Sequence, residues 1–179
     1  MRRYAMAVLL IVGFASHASA EEQRRQHGVH QHGLGKLDIA MENNTVTIGL
    51  ESPADGIFGF EHTPRTEAQK KTVRETMATL KDANKLFGFA PEARCSARTA
   101  EVDSALAAPP APKKTGNDEH ADVDAQYTFT CEKPQALKAI EIHLFKLFPR
   151  IRALDAQVVT PTRQTAVQLN AGQNRITLQ

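Results

Sequence analysis

The sequence predicts an α+β fold, a largely antiparallel sheet with one long helix and a short second helix in a single disulfide-stapled domain. Three observations predict it. Short segments in which apolar and polar residues alternate are separated by turn residues, as in antiparallel strands. One longer segment has its apolar residues at helical spacing. Two cysteines, Cys95 and Cys131, lie on either side of a proline-rich stretch.

Residues 1–20 have the features of a secretory signal peptide. Arg2 and Arg3 precede an apolar run that is too short to span a bilayer and ends in the small residues before Ala20. We expect export to the periplasm, cleavage after Ala20 and no membrane span. Without the two arginines, the 22 Lys and Arg residues become 20 and balance the 20 Asp and Glu residues. This balance gives no indication of a nucleic-acid partner.

The front of the exported chain is predicted to be an arm followed by a hairpin. Residues 21–35 are polar and contain several glycines, and residues 36–179 are expected to form the single domain. Two alternating segments flank Asn43 and Asn44, and Asn tolerates the positive φ that a tight turn needs. The apolar positions expected on the inner face are Leu37, Ile39, Met41, Val46, Ile48 and Leu50.

The long helix is predicted over residues 65–87. Val73, Met77 and Leu80 have helical spacing, which Phe87 continues, and Gly88 is a natural stop. Two starts are open. Thr63 could cap a helix that has Pro64 at its first position, or Thr66 and Gln69 could form a capping box.

The two cysteines are placed on two strands, one over residues 93–102 and the other over residues 127–131. Between these strands, residues 103–124 are predicted to be a flexible loop, which contains three prolines at positions 109, 110 and 112. A lone cysteine pair in an exported protein most often forms a disulfide. Two reduced thiols and a pair of metal ligands are the alternatives.

The last third of the chain is predicted to be mostly strand. Residues 139–144 alternate, and a short helical turn is expected to end near Pro149. A meander follows, with turns at Thr160–Pro161 and Ala171–Gly172.

Three histidines, His27, His30 and His32, lie close together in the predicted arm. In an extended chain His30 and His32 point to the same side, about 6.6 Å apart at their Cα atoms. Gly28 permits a bend that could bring His27 to them. Imidazole suits Zn²⁺, Cu²⁺ and Ni²⁺. The alternative is an unstructured polar arm that contains several histidines.

Other side chains could extend or add to a metal site. His62 is a candidate fourth imidazole, and Glu61 beside it could orient a ring or bind directly. His120 with Asp118 and Asp122 could form a weaker, labile site. The alternatives are ordinary residues near a helix start and a solvated loop. No catalytic motif was recognised, so we expect a protein that is not an enzyme.

Four segments together resemble one bacterial family. HGVHQHG, LESPADGIFGFEHTPRTEAQK, YTFTCEKP and LFKLFP look like the ZrgA-like periplasmic zinc-binding proteins, a domain family long without a known function. The resemblance implies an exported protein that binds Zn²⁺ and serves zinc acquisition under scarcity.

The resemblance also carries over to individual residues. These are the three N-terminal histidines, the GFEH block and the paired cysteines, namely His27, His30, His32, Glu61, His62, Cys95 and Cys131. Many relatives carry a long insert rich in His and Asp between the two cysteine strands. Here only His120 remains in that region, so one or two ions per molecule are expected rather than many.

The leading hypothesis is a periplasmic accessory protein that captures Zn²⁺, or a related divalent metal, for uptake or buffering. A zinc importer or a periplasmic carrier is the expected partner. The alternative is a structural or interaction module of the cell envelope that binds no metal. Elemental analysis of protein purified without a histidine tag distinguishes these two classes.

Overall fold

The computed structural model describes residues 31–107 and 121–178. The strands are β1 (Leu34–Glu42), β2 (Thr45–Pro53), β3 (Phe87–Phe89), β4 (Cys95–Ser104), β5 (Asp122–Cys131), β6 (Ala139–Ile142), β7 (Ala153–Thr160), β8 (Arg163–Leu169) and β9 (Arg175–Thr177). The helices are α1 (Ala54–Phe58), α2 (Glu67–Leu80), α3 (Ala83–Leu86) and α4 (Leu144–Leu147). The predicted α+β class, dominated by an antiparallel sheet, is confirmed.

The main layer is a six-stranded sheet with the order β4-β5-β2-β1-β7-β8. Its neighbours pair antiparallel except for β1 and β7, which run parallel. The β1–β2 hairpin is confirmed, and Asn43 in its turn has φ 54°. Each strand of this hairpin buries alternate residues, so the sheet has one buried face and one exposed face.

A second layer covers the buried face. It contains the three-stranded sheet β3-β6-β9 together with helices. Phe87 of β3 lies edge-on to Tyr127 of β5, with 5.1 Å between ring centroids, and Phe89 approaches Phe129 at 4.6 Å. These rings join the two sheets across one continuous hydrophobic core.

The predicted disulfide between Cys95 and Cys131 is present. The two residues face each other at one end of the β4–β5 ladder, with a Cα–Cα distance of 3.9 Å. Of the segment predicted as a flexible loop, residues 108–120 lie outside the described residues. The flanking strands reach Ser104 and Asp122.

The single helix predicted over residues 65–87 is wrong in extent. Thr66 caps α2 through a complete capping box with Gln69, which settles the two open starts. The helix ends at Leu80, and a separate turn of helix, α3, follows. The chain then becomes extended because Phe87–Phe89 pairs with β6. Tertiary pairing therefore replaced the helical conformation that the spacing indicated.

Other short elements also differ from the prediction. Residues 54–58 form the short helix α1, which the sequence pattern did not predict. The tail is not a continuous meander, because β9 leaves the large sheet and pairs with β6. The expected short helix before Pro149 is present as α4. No helix within the described residues is long and apolar enough to cross a membrane.

Candidate metal centre

His32 lies two residues before β1, at one end of the large sheet. Its neighbour Gly33 has φ 80°, a conformation that favours glycine. The Gly33 carbonyl accepts hydrogen bonds from the backbone N–H groups of Arg152 (2.7 Å) and Ala153 (3.1 Å). These bonds tie the entry to β1 to the start of β7, and they hold His32 at this end of the sheet.

Asp55 and Glu61 come from the chain that leaves β2. Asp55 lies in the first turn of α1. Gly59 ends that helix with φ 87°, and its N–H donates to the Asp55 carbonyl at 3.0 Å. The left-handed residue turns the chain, so that Glu61 comes close to His32 as Asp55 does.

The three side chains form one compact group. The Nδ1 atom of His32 lies 2.9 Å from Oδ2 of Asp55 and 3.6 Å from Oε1 of Glu61. One ligand atom from each residue lies within 4.8 Å of the others. The carboxylates are largely buried, with 21% and 16% of their side chains exposed, whereas His32 is 60% exposed. The two carboxylates are therefore held within the protein, whereas the imidazole is accessible to solvent.

The donor set fits a divalent transition metal. One imidazole and two carboxylates are ligands that Zn²⁺ accepts, at about 2.0–2.2 Å. Two donors bound to one tetrahedral zinc lie about 3.3 Å apart, which is close to both separations at His32. Oδ1 of Asp55 is buried and has no hydrogen-bond partner among the described residues. A buried carboxylate oxygen without a hydrogen-bond partner is stabilised by a nearby cation.

His62, the candidate fourth imidazole, does not belong to this group in the structure. Its ring stacks on Phe60 with a centroid distance of 5.3 Å. Its Nδ1 lies 3.0 Å from the Thr63 carbonyl oxygen. Glu61 is largely buried and faces His32 rather than His62.

The other candidate ligands are distributed as follows. His27, His30, Asp118 and His120 lie outside the described residues. Asp122 begins β5, and its backbone carbonyl accepts a hydrogen bond from the Ser104 hydroxyl at 2.9 Å.

Sequence reasoning missed Asp55, although a signal for it was present. The hairpin register pairs Lys36 with Glu51 and Leu37 with Leu50. Continued beyond the strands, that register sets residue 55 opposite residue 32.

The comparisons with known proteins agree with this chemistry. A family model described as "ZrgA family zinc uptake protein" matches residues 29–178. None of the curated proteins that were compared matches the chain.

Proposed function

Because the chain belongs to the ZrgA family of zinc uptake proteins, we propose that it captures Zn²⁺ in the periplasm at the group formed by His32, Asp55 and Glu61. The observation that carries the proposal is the convergence of one imidazole and two largely buried carboxylates on a single point. Family membership supports zinc as the metal, since the donor set alone would also accept Cu²⁺ or Ni²⁺.

His27 and His30 complete the proposed centre. Both belong to the cluster that ends at His32. In an extended chain His30 points to the same side as His32, and a bend at Gly28 can bring the ring of His27 to the same ion. Additional imidazoles raise the ligand count toward the four that zinc usually takes. The exposed side of His32 is where such ligands, or water, gain access to the metal.

The same exposure supports transfer of the metal to a partner. An ion bound on the open side of the group is within reach of an incoming ligand from a zinc importer or a periplasmic carrier.

Imidazole binds metal only when it is deprotonated, so the affinity of the protein for zinc decreases below about pH 6. Asp118, His120 and Asp122 are proposed as a second, weaker site.

A calorimetric zinc titration of the metal-stripped exported protein tests the proposal. The wild-type protein is expected to bind at least one ion tightly. The variant with His27, His30 and His32 all replaced by Ala is expected to lose that binding. Zinc affinity that is unchanged in the triple variant would show that the metal is bound elsewhere or not specifically. Elemental analysis of untagged protein gives an independent check.

A further inference from the structure

The two edges of the large sheet differ in how they are protected. The β4 edge has a β-bulge between Ala97 and Thr99, and it carries Arg98, Glu101 and Asp103. Bulges and charges are the usual devices that prevent an edge strand from pairing with another chain. The β8 edge has neither over residues 164–169, which are uncharged and keep a regular register with β7.

The backbone groups of β8 that have no partner strand among residues 31–107 and 121–178 can be assigned from its hairpin. A two-residue turn joins Thr160 to Arg163, and the pair that closes such a turn is hydrogen-bonded. Hydrogen bonding then alternates along the ladder. Gln164, Ala166 and Gln168 therefore direct their N–H and C=O groups away from β7.

Apolar side chains lie exposed or half-buried on the last two strands at this side of the sheet. Val159 lies on β7 opposite Gln164, and its side chain is 45% exposed. Within the described part of the chain it is the only large hydrophobic residue that is exposed. Val167 of β8 is only half-buried, although it packs against the core. Val159 points to the exposed face of the sheet, whereas Val167 lies on the inner face, so the half-burial of Val167 shows that coverage by the second layer becomes incomplete at β8.

We propose that the β8 edge pairs antiparallel with the β8 edge of a second copy of this chain, about a two-fold axis at Ala166. The groups that point outward at positions 164, 166 and 168 are symmetric about this axis. Ala166 would pair with its own counterpart, and Gln164 would pair with Gln168 of the other copy. Each of these pairs exchanges both of its backbone hydrogen bonds.

The charges and side chains of β8 are compatible with pairing to itself. In this register Arg163 lies opposite Leu169 of the other copy, so no like charges face each other. Thr165 lies opposite Val167 of the other copy on the inner face, and this contact covers the half-buried valine. A second copy therefore pairs with the outward backbone groups of β8 and covers the half-buried Val167.

Sedimentation velocity of the exported protein over a wide range of concentration tests the proposal. The measurement is made with a chelator, because exposed histidines could bridge two copies through zinc. Ala166→Pro removes an outward N–H and no bond to β7, so the monomer should keep its fold. Ala166→Lys sets two like charges opposite each other. Ala40→Lys, on the exposed face of the central strand β1, is the matched control.

The wild type is expected to associate to twice the monomer mass as its concentration rises. Ala166→Pro is expected to abolish the dimer, Ala166→Lys to weaken it about fivefold, and Ala40→Lys to leave it unchanged. A wild-type protein that stays monomeric at every concentration would overturn the proposal. A dimer that forms only with zinc, or that both Ala166 variants retain, would also overturn it.

Discussion

The Nδ1 atom of His32 lies 2.9 Å from Oδ2 of Asp55, since the β1–β2 register, continued two positions beyond each strand, sets residue 32 opposite residue 55. The ladder from Lys36↔Glu51 to Glu42↔Thr45 is regular. It therefore brings the two candidate ligands to the same end of the sheet. Glu61 joins them through the turn at Gly59, so the candidate metal centre depends on both hairpin register and helix termination.

Asp55→Asn is expected to weaken zinc binding at least about tenfold, because it replaces an anionic ligand with a neutral one of the same shape. Calorimetric titration measures the change. Asp38→Asn is the matched control, since Asp38 lies exposed on β1 and its loss alters the net charge equally. Equal affinities in the two variants would place the metal away from Asp55.

Gly33→Ala is expected to lower both stability and zinc affinity. Its φ of 80° is unfavourable for an alanine, at roughly 1–2 kcal/mol, and a Cβ would lie 3.0 Å from the Arg150 carbonyl oxygen. Gly49→Ala is the control, because a Cβ there meets only ordinary contacts at 3.8–3.9 Å. It should stabilise β2 by about 0.5–1 kcal/mol. Urea unfolding and zinc titration of both variants give the comparison, and indistinguishable results would contradict it.

The disulfide is expected to contribute about 3–4 kcal/mol to the free energy of unfolding, because it closes a loop with a sequence separation of 36. Replacing Cys95 and Cys131 by Ala should remove this contribution. Denaturant titration with and without a reducing agent measures it. Reduction should destabilise the wild type and leave the double variant unaffected. A wild-type midpoint that does not respond to reduction would refute this expectation.

Tyr127 gives a prediction for alkaline pH. Its side chain is buried, and the hydroxyl has no hydrogen-bond partner among the described residues. Burial raises the pKa of this phenol above its ordinary value of 10.0. As the pH rises above 10, the unfolded chain ionises first, so the stability that is complete below pH 10 is progressively lost.

Tyr127→Phe should therefore remove this part of the alkaline destabilisation. It should also leave stability near pH 7 equal or up to about 1 kcal/mol higher, because no buried hydrogen bond is lost. Urea unfolding of both proteins near pH 7 and above pH 10 provides the test. Parallel losses of stability in the two proteins at high pH would contradict the assignment to Tyr127.

Local patterns predicted the parts of the fold that depend on local physics. Alternation located the β1–β2 hairpin, and Thr66 with Gln69 marked the start of α2. The disulfide followed from the compartment and from the number of cysteines. In each case the signal lies within a few residues or in the composition of the chain.

The elements that were missed depend on contacts between distant segments. β3 has three residues and exists because β6 pairs with it, and β9 joins the same small sheet. The parallel pairing of β1 with β7 has no local signature at all. Asp55 belongs to the same class, since its proposed role depends on its spatial position relative to His32.

Anomalous diffraction from a zinc-soaked crystal tests the central claim most directly, because it identifies both the metal and its ligands. We predict a zinc peak about 2.0–2.2 Å from a ring nitrogen of His32 and from carboxylate oxygens of Asp55 and Glu61. A zinc peak bound by other residues, with these three side chains left unliganded, would contradict the account.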